Sequence, residues 1–197
     1  YPSYSSVEKR KINIAYIGIN NHEIDLIAPF IEALKCENVK NSYRLILYGN
    51  TISNEKWNQL GLSEIAEYRG WLDYSKDVST LKDIDVFLQL LDDNNVSKAG
   101  WPNKLGDYLA FGKPIILSPY GDIIDFVKNE KGFFIVEYNK YSILKILQEI
   151  KDIPYSDLKT MGYANRQLAE KISWKNRAKN IEYICNKIRF NNETVKN

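Results

Sequence analysis

Apolar residues recur along this chain in two alternating rhythms. Ile12–Gly18 (INIAYIG) is a short, Ile-rich run closed by Gly, the pattern of a strand buried on both faces. Glu23–Cys36 follows with Ile24, Ile27, Ile31 and Leu34 at helical spacing. The alternation then repeats. Strands are predicted at Tyr43–Tyr48, Ile65–Arg69, Ile84–Leu91, Pro114–Leu117 and Gly132–Val136. Between them, helices are predicted at Asn54–Leu60 with Ser53 as N-cap, Ser75–Lys82, Pro102–Phe111 and Ile123–Lys128. Gly112 suits the C-cap of the Pro102 helix because it takes positive φ without steric conflict. Three helices close the chain: Ser142–Ile150 with Ile143, Ile146, Leu147 and Ile150 on one stripe, Tyr155–Ile172, and Trp174–Ile188. Six short strands alternating with helices predict an α/β fold: a Rossmann-like, mostly parallel six-stranded sheet with helices on both faces and a helical C-terminal extension.

Composition narrows the possibilities. The chain has 197 residues, 44% hydrophobic and 26% charged, enough for one core-bearing domain with appendages. Its net charge of +2 argues against a nucleic-acid binder, which needs a concentrated basic surface. No apolar run approaches the roughly 18 residues of a membrane-spanning helix. No signal peptide is visible at Tyr1, and a start without Met is expected of part of a longer chain. Cys36 and Cys185 lie in no CxxC or Cys/His cluster, so both read as buried, reduced thiols of a cytoplasmic protein, with no metal site.

In open α/β sheets, ligands bind beyond the carboxyl ends of the strands. The first such loop, after Gly18, has neither G-x-G-x-x-G nor a P-loop, which disfavours a dinucleotide or ATP site. The long polar loop Leu91–Gly100 leads instead to a helix opened by Pro102, whose free amides and dipole suit a diphosphate. Asn103 and Lys104 sit in its first turn, and Asp107 follows one turn after Asn103, where a carboxylate can accept two hydroxyls of a ribose. By local spacing alone, Lys104 and Asp107 also read as an exposed i,i+3 ion pair. His22, the single histidine, reads as a surface or capping group.

The segment PNKLGDYLAFGKPIILS resembles the P-x-K-x-x-E-Y-x-A-x-G-K-P-V-I stretch of GT-B glycosyltransferases of family 4, the group 1 transferases. Other pieces are similar in the same order. They are YIGINNHEIDLIAPFIEAL, YRLILYGN, YRGWLDYSKDVSTLKDIDVFLQL, GDIIDFVKNEKGFFIV and SWKNRAKNIEYI, together covering about Lys11–Ile188. The resemblance implies one half of a GT-B fold, the C-terminal half that binds a nucleotide diphosphate sugar. It implies a hexosyl transfer to a saccharide or lipid-linked acceptor, as in bacterial surface polysaccharide synthesis, with retention of configuration and without a metal or other cofactor. The acceptor site then belongs to an N-terminal domain or a partner chain. The chain divides accordingly into a linker or incoming segment (1–11), the nucleotide-sugar-binding domain (12–172), a helix packing back toward the missing half (173–190) and a polar tail (191–197). A cytoplasmic location with peripheral contact at the inner membrane face fits Lys175, Arg177, Lys179, Lys187 and Arg189 on that helix.

Carried over by position, Asp107 stands where the family's E-x7-E has its second Glu, which holds the ribose, and Trp71 stands where the nucleobase is held. The expected donor-binding set is Gly18, Asn20, Trp71, Lys98, Pro102, Asn103, Lys104, Leu105 and Asp107; no residue is assigned to catalysis. Three positions depart from the family. The first Glu of the pattern falls at Ala99, the phosphate-clamping Arg at Ile19, and no Lys occurs between Gly18 and Leu34. Lys104, Lys98 and His22 are the substitutes to weigh for the lost cations. The same departures motivate an alternative, a non-catalytic Rossmann-like nucleotide-binding or scaffold module. A GT-B epimerase, which carries several histidines, is disfavoured by the single His.

Overall fold

The structure, a computed structural model, describes residues 10–194, with side chains through Ile188. Six strands form one sheet: β1 (Ile12–Ile19), β2 (Tyr43–Gly49), β3 (Ala66–Tyr68), β4 (Val86–Gln89), β5 (Ile115–Leu117) and β6 (Phe133–Ile135). All neighbours pair in parallel, in the order β3-β2-β1-β4-β5-β6. The order reverses at β1, so connections leave its two flanks toward opposite faces and open a crevice at its carboxyl end.

Side-chain alternation divides each strand between two cores. Ile14 and Tyr16 of β1, Leu45 and Leu47 of β2, and Val86 and Leu88 of β4 face one side. There they meet Ile24 of α1 (Glu23–Leu26), Phe30, Ile31 and Leu34 of α2 (Ala28–Leu34), and Ile143, Leu147 and Ile150 of α7 (Lys140–Ile150). Ala15, Ile17, Ile46, Tyr48 and Phe87 face the other side, against α5 (Asn103–Phe111), α6 (Asp122–Val127) and Leu168 of α8 (Tyr155–Lys171). The long helix α8 reaches both cores through Leu158 and Leu168.

The predicted strands and most helices are present with shifts of a residue or two. Ser53 caps α3 (Asn54–Gln59) by accepting from the Lys56 amide, and Gly112 closes α5 at φ +65°. Five expectations need correction. The Glu23–Cys36 helix is broken at Ile27, because Pro29 in the next turn lacks an N–H and excludes the carbonyl a continuous helix would place beside it. No α-helix covers Ser75–Lys82; only a 3-10 turn, Val78–Leu81, forms there. The supposed loop Leu91–Gly100 contains α4 (Asn95–Ala99), capped by Asn94. Cys36 is half-buried and Cys185 exposed, so burial does not shelter these free thiols. The last helix, α9 (Trp174–Thr194), extends past Ile188 into the expected tail. The incoming segment 1–9 and residues 195–197 lie outside the described residues.

One crossing fixes α8 on α5. A Cβ on Gly162 would sit 2.2 Å from the Gly112 carbonyl oxygen, so the two helices touch backbone to backbone. Three residues on, the fully buried Asn165 donates its amide to the Lys113 and Gly132 carbonyls at 2.8 Å each. In an open helix, Gly→Ala stabilises by about 1 kcal/mol. Here Gly162→Ala reverses that sign, destabilising by about 2 kcal/mol or more through overpacking, as urea unfolding will measure.

Candidate functional site

The crevice at the end of β1 is walled on one side by the Gly18–His22 loop and α1, on the other by α5. Three buried side chains seat α5: Leu105, Tyr108 and Leu109, each 0% exposed. The Tyr108 ring stacks on Phe87 at 4.3 Å, and its hydroxyl accepts the Ile17 N–H at 3.0 Å. Helical geometry then turns Lys104 and Asp107 outward from the same rigid element.

Lys104 crosses the crevice. Its Nζ donates to the Tyr16 hydroxyl at 3.0 Å and to Glu23 Oε2 at 3.1 Å, and lies 4.5 Å from the centre of the Tyr16 ring. Tyr16 in turn donates to the same Glu23 oxygen, closing a three-member ring of hydrogen bonds. Burial, then the Glu23 carboxylate, pushes the Tyr16 hydroxyl far above its ordinary pKa. Gly18, at φ +88°, leaves the lysine room: a Cβ there would meet Lys104 Cε at 2.9 Å, and the end of the side chain would have to shift.

Asp107 is exposed and turns away from Lys104, accepting the Tyr74 hydroxyl at 3.2 Å. The i,i+3 pair expected from spacing is therefore replaced by two tertiary contacts. Tyr74 leans on Phe111 with ring centres 6.1 Å apart. Burial, followed by the Asp107 charge, pushes the Tyr74 hydroxyl up to about 12, so it remains a donor at neutral pH. Pro102 takes the N-cap position of α5, one place earlier than expected, and no side chain caps this end. Apart from the Leu105 amide, bonded to the Pro102 carbonyl at 3.0 Å, the first-turn amides at Asn103 and Lys104 are left for water or a ligand.

A family model described as Glycosyl transferases group 1 matches residues 11–152. The chain belongs to the group 1 glycosyl transferases. No curated protein sequence matches it. Among solved structures, sucrose-phosphate synthase from Thermosynechococcus elongatus is similar, with TM-score 0.67 and 13% identity over 90% of this chain and 45% of that one. The C-terminal domain of the group 1 family protein LpcC from Francisella tularensis is similar over 87% of this chain and 94% of that one, with TM-score 0.57 and 13% identity. Anabaena HepE, solved in complex with UDP and glucose, gives TM-score 0.59 and 13% identity over 84% of this chain and 45% of that one. At these identities the likeness establishes the fold, a Rossmann-like GT-B half. The chain spans less than half the length of the synthase and of HepE.

Within this group 1 domain, the sequence-selected residues fall into four groups. Gly18, Pro102, Asn103 and Lys104 meet at the crevice and the start of α5, with Asp107 one turn on and bonded to Tyr74. Asn20 stands in the loop, but its Oδ1 accepts the His22 and Glu23 amides at 2.8 and 2.9 Å and so starts α1. Leu105 is an apolar anchor of α5. Lys98, on α4, is held by Asp93 at 2.5 Å, and Trp71 follows β3 with 70% exposure. Ile19, in the family's Arg place, is 1% exposed and packs in the core, while Ala99 ends α4 in solvent. Sequence reading missed Tyr16, Glu23, Tyr74 and Tyr108; their partners lie 88, 81, 33 and 91 positions away, beyond any local pattern.

A cleft of about 520 Å³ opens at the opposite edge, beside the amino ends of β1 and β4. Its buried carboxylate, Asp85, serves the fold: Arg10 donates to it at 2.6 Å and the Asn13 amide at 2.8 Å. Among the described residues, no group of three or more His, Cys, Asp or Glu side chains is placed to hold a metal ion, and no helix is long and apolar enough to cross a membrane.

Gly18→Ala should destabilise the protein by about 1–2 kcal/mol, from the left-handed backbone alone, and push Lys104 out of the crevice. Urea unfolding checks this; a variant as stable as the parent would show that the left-handed backbone at residue 18 carries no such cost.

Proposed function

We propose that this domain binds a nucleotide diphosphate sugar at the carboxyl end of β1 and forms the donor half of a glycosyltransferase. The observation that carries the reading is Lys104, an ammonium held against Gly18 beside the uncapped start of α5. The diphosphate lies over the first-turn amides, where backbone N–H groups and helix dipole favour an anion. Lys104 supplies the cation that Ile19 cannot. Asp107, one turn on, accepts the ribose hydroxyls through the oxygen that Tyr74 does not use. Trp71 borders the base.

Transfer breaks the bond between the sugar's anomeric carbon and the diphosphate oxygen as an acceptor hydroxyl attacks. Charge then builds on the leaving diphosphate, where donors fixed in advance lower the barrier. In this reading helix amides and Lys104 neutralise that charge without a metal or cofactor, and the configuration is retained. The acceptor, a saccharide or lipid-linked saccharide of a bacterial surface polysaccharide, is held by an N-terminal domain or partner chain. Support for a missing half comes from α9, where Trp174, Ile181, Ile184 and Ile188 are 83%, 62%, 54% and 57% exposed. We assign that stripe to packing back on the absent half, and Lys175, Arg177, Lys179 and Lys187 to peripheral contact with anionic lipid at the cytoplasmic membrane face. A second reading, a nucleotide-binding module without transfer activity, is favoured by Ala99, whose methyl offers a donor sugar no hydrogen bond.

Calorimetric titration with UDP and GDP tests the donor site. One of them binds, and Asp107→Ala weakens it about 10- to 100-fold, the loss of a hydrogen bond to a charged acceptor. No binding of either up to millimolar concentration overturns the reading. If the chain, joined to its acceptor half, hydrolyses or transfers a donor sugar and Asp107→Ala abolishes this, the non-catalytic alternative falls.

A further inference from the structure

We propose that Glu23 is a built-in competitor for the donor's diphosphate, its carboxylate occupying on Lys104 the place that a phosphate oxygen takes when the donor binds. The proposal rests on the donor-site reading above and adds a residue that the reading does not need. Three observations carry it. First, Lys104 is engaged before any ligand arrives, by Glu23 Oε2 at 3.1 Å and the Tyr16 hydroxyl at 3.0 Å. Second, the carboxylate is held there from two sides. Tyr16, 1% exposed on β1, donates to it from below. Asn20, capping the Glu23 amide at 2.9 Å, fixes the turn of α1 from which it projects. Third, the pair is partly open, with side chains 29% and 28% exposed, so the carboxylate has a path into solvent.

The charge arithmetic gives the sign. Lys104 and Glu23 together present no net charge to an arriving anion. A diphosphate must displace the carboxylate or accept its repulsion at close range, where screening by salt is weak. Displacement frees two donors at once, the Lys104 ammonium and the Tyr16 hydroxyl, and both then face phosphate oxygens. Glu23 thus makes entry an exchange of one anion for another. The device favours a multiply charged diphosphate over weaker anions.

Glu23→Gln keeps the side chain's shape and a carbonyl oxygen for Lys104 while removing the charge. It should bind UDP or GDP about tenfold more tightly than the parent by calorimetry, a gain of about 1.4 kcal/mol. Glu23→Ala should tighten binding in the same direction, so a folding defect in one variant leaves the other as the test. Lys104→Met should lose most of the affinity. Parent binding with unchanged or weaker binding by both neutral variants overturns the competitor role and leaves the donor site standing. Failure of the parent and every variant to bind either nucleotide overturns the donor site, and the competitor with it.

Discussion

Where β1 ends, the chain must leave the sheet between β2 and β4, whose connections run to opposite faces. The Ile17 amide lies at this junction with its usual partners on the strand running out. The Tyr108 hydroxyl, at 3.0 Å, accepts it instead. A buried amide without a partner would cost about 1–3 kcal/mol, so this bond ties the end of β1 to α5. Phe87 of β4, stacked at 4.3 Å on the same ring, ties in the third element. The crevice is therefore a rigid joint of β1, β4 and α5, rather than a gap between independent loops.

That joint decides what α5 can present. With Leu105, Tyr108 and Leu109 in the core, the residues left to face the ligand end are those one place before Leu105 and one before Tyr108. Lys104 and Asp107 occupy them. A cation and a carboxylate one turn apart would pair in an isolated helix for a few tenths of a kcal/mol. Each instead finds a partner on a different wall, Glu23 on α1 and Tyr74 after β3. The two groups point to different partners, as the proposed contacts with two separated parts of one extended ligand require.

Much of this fold was legible in the sequence because buried parallel strands and their helices carry dense apolar signals. Ile12–Gly18, the α5 segment and the Ile143–Ile150 stripe are of that kind. The failures are local and physical. Around Ser75, the side chains of Asp73 and Asp77 capture the Ser75 and Asp73 amides at 2.9 and 3.0 Å, and these turns compete with the helix that apolar spacing suggested. The short α4 buries no residue, so it has no stripe to read; the Asn94 cap alone starts it. In the candidate site, the family pattern led to Lys104 and Asp107, but not to the groups that aim them. Tyr16 and Glu23 read as strand and helix residues, which they are, and only the crossing of β1 and α5 brings them to the lysine.

Placing the site's cation on α5 rather than on the β1 loop changes more than its position. A loop lysine would leave the space above Gly18 open and move independently of Asp107. A helix lysine fills that space and is fixed relative to Asp107 by the helix itself, so in the proposed donor site the phosphate and ribose contacts keep a set spacing. It also needs somewhere to rest when no phosphate is present, because a half-buried ammonium without a counter-charge is unfavourable. The acidic start of α1 meets that need through Glu23. A cation fixed on a helix is thus stabilised in the empty crevice by the anion facing it, and Tyr16 and Asn20 hold that anion in position.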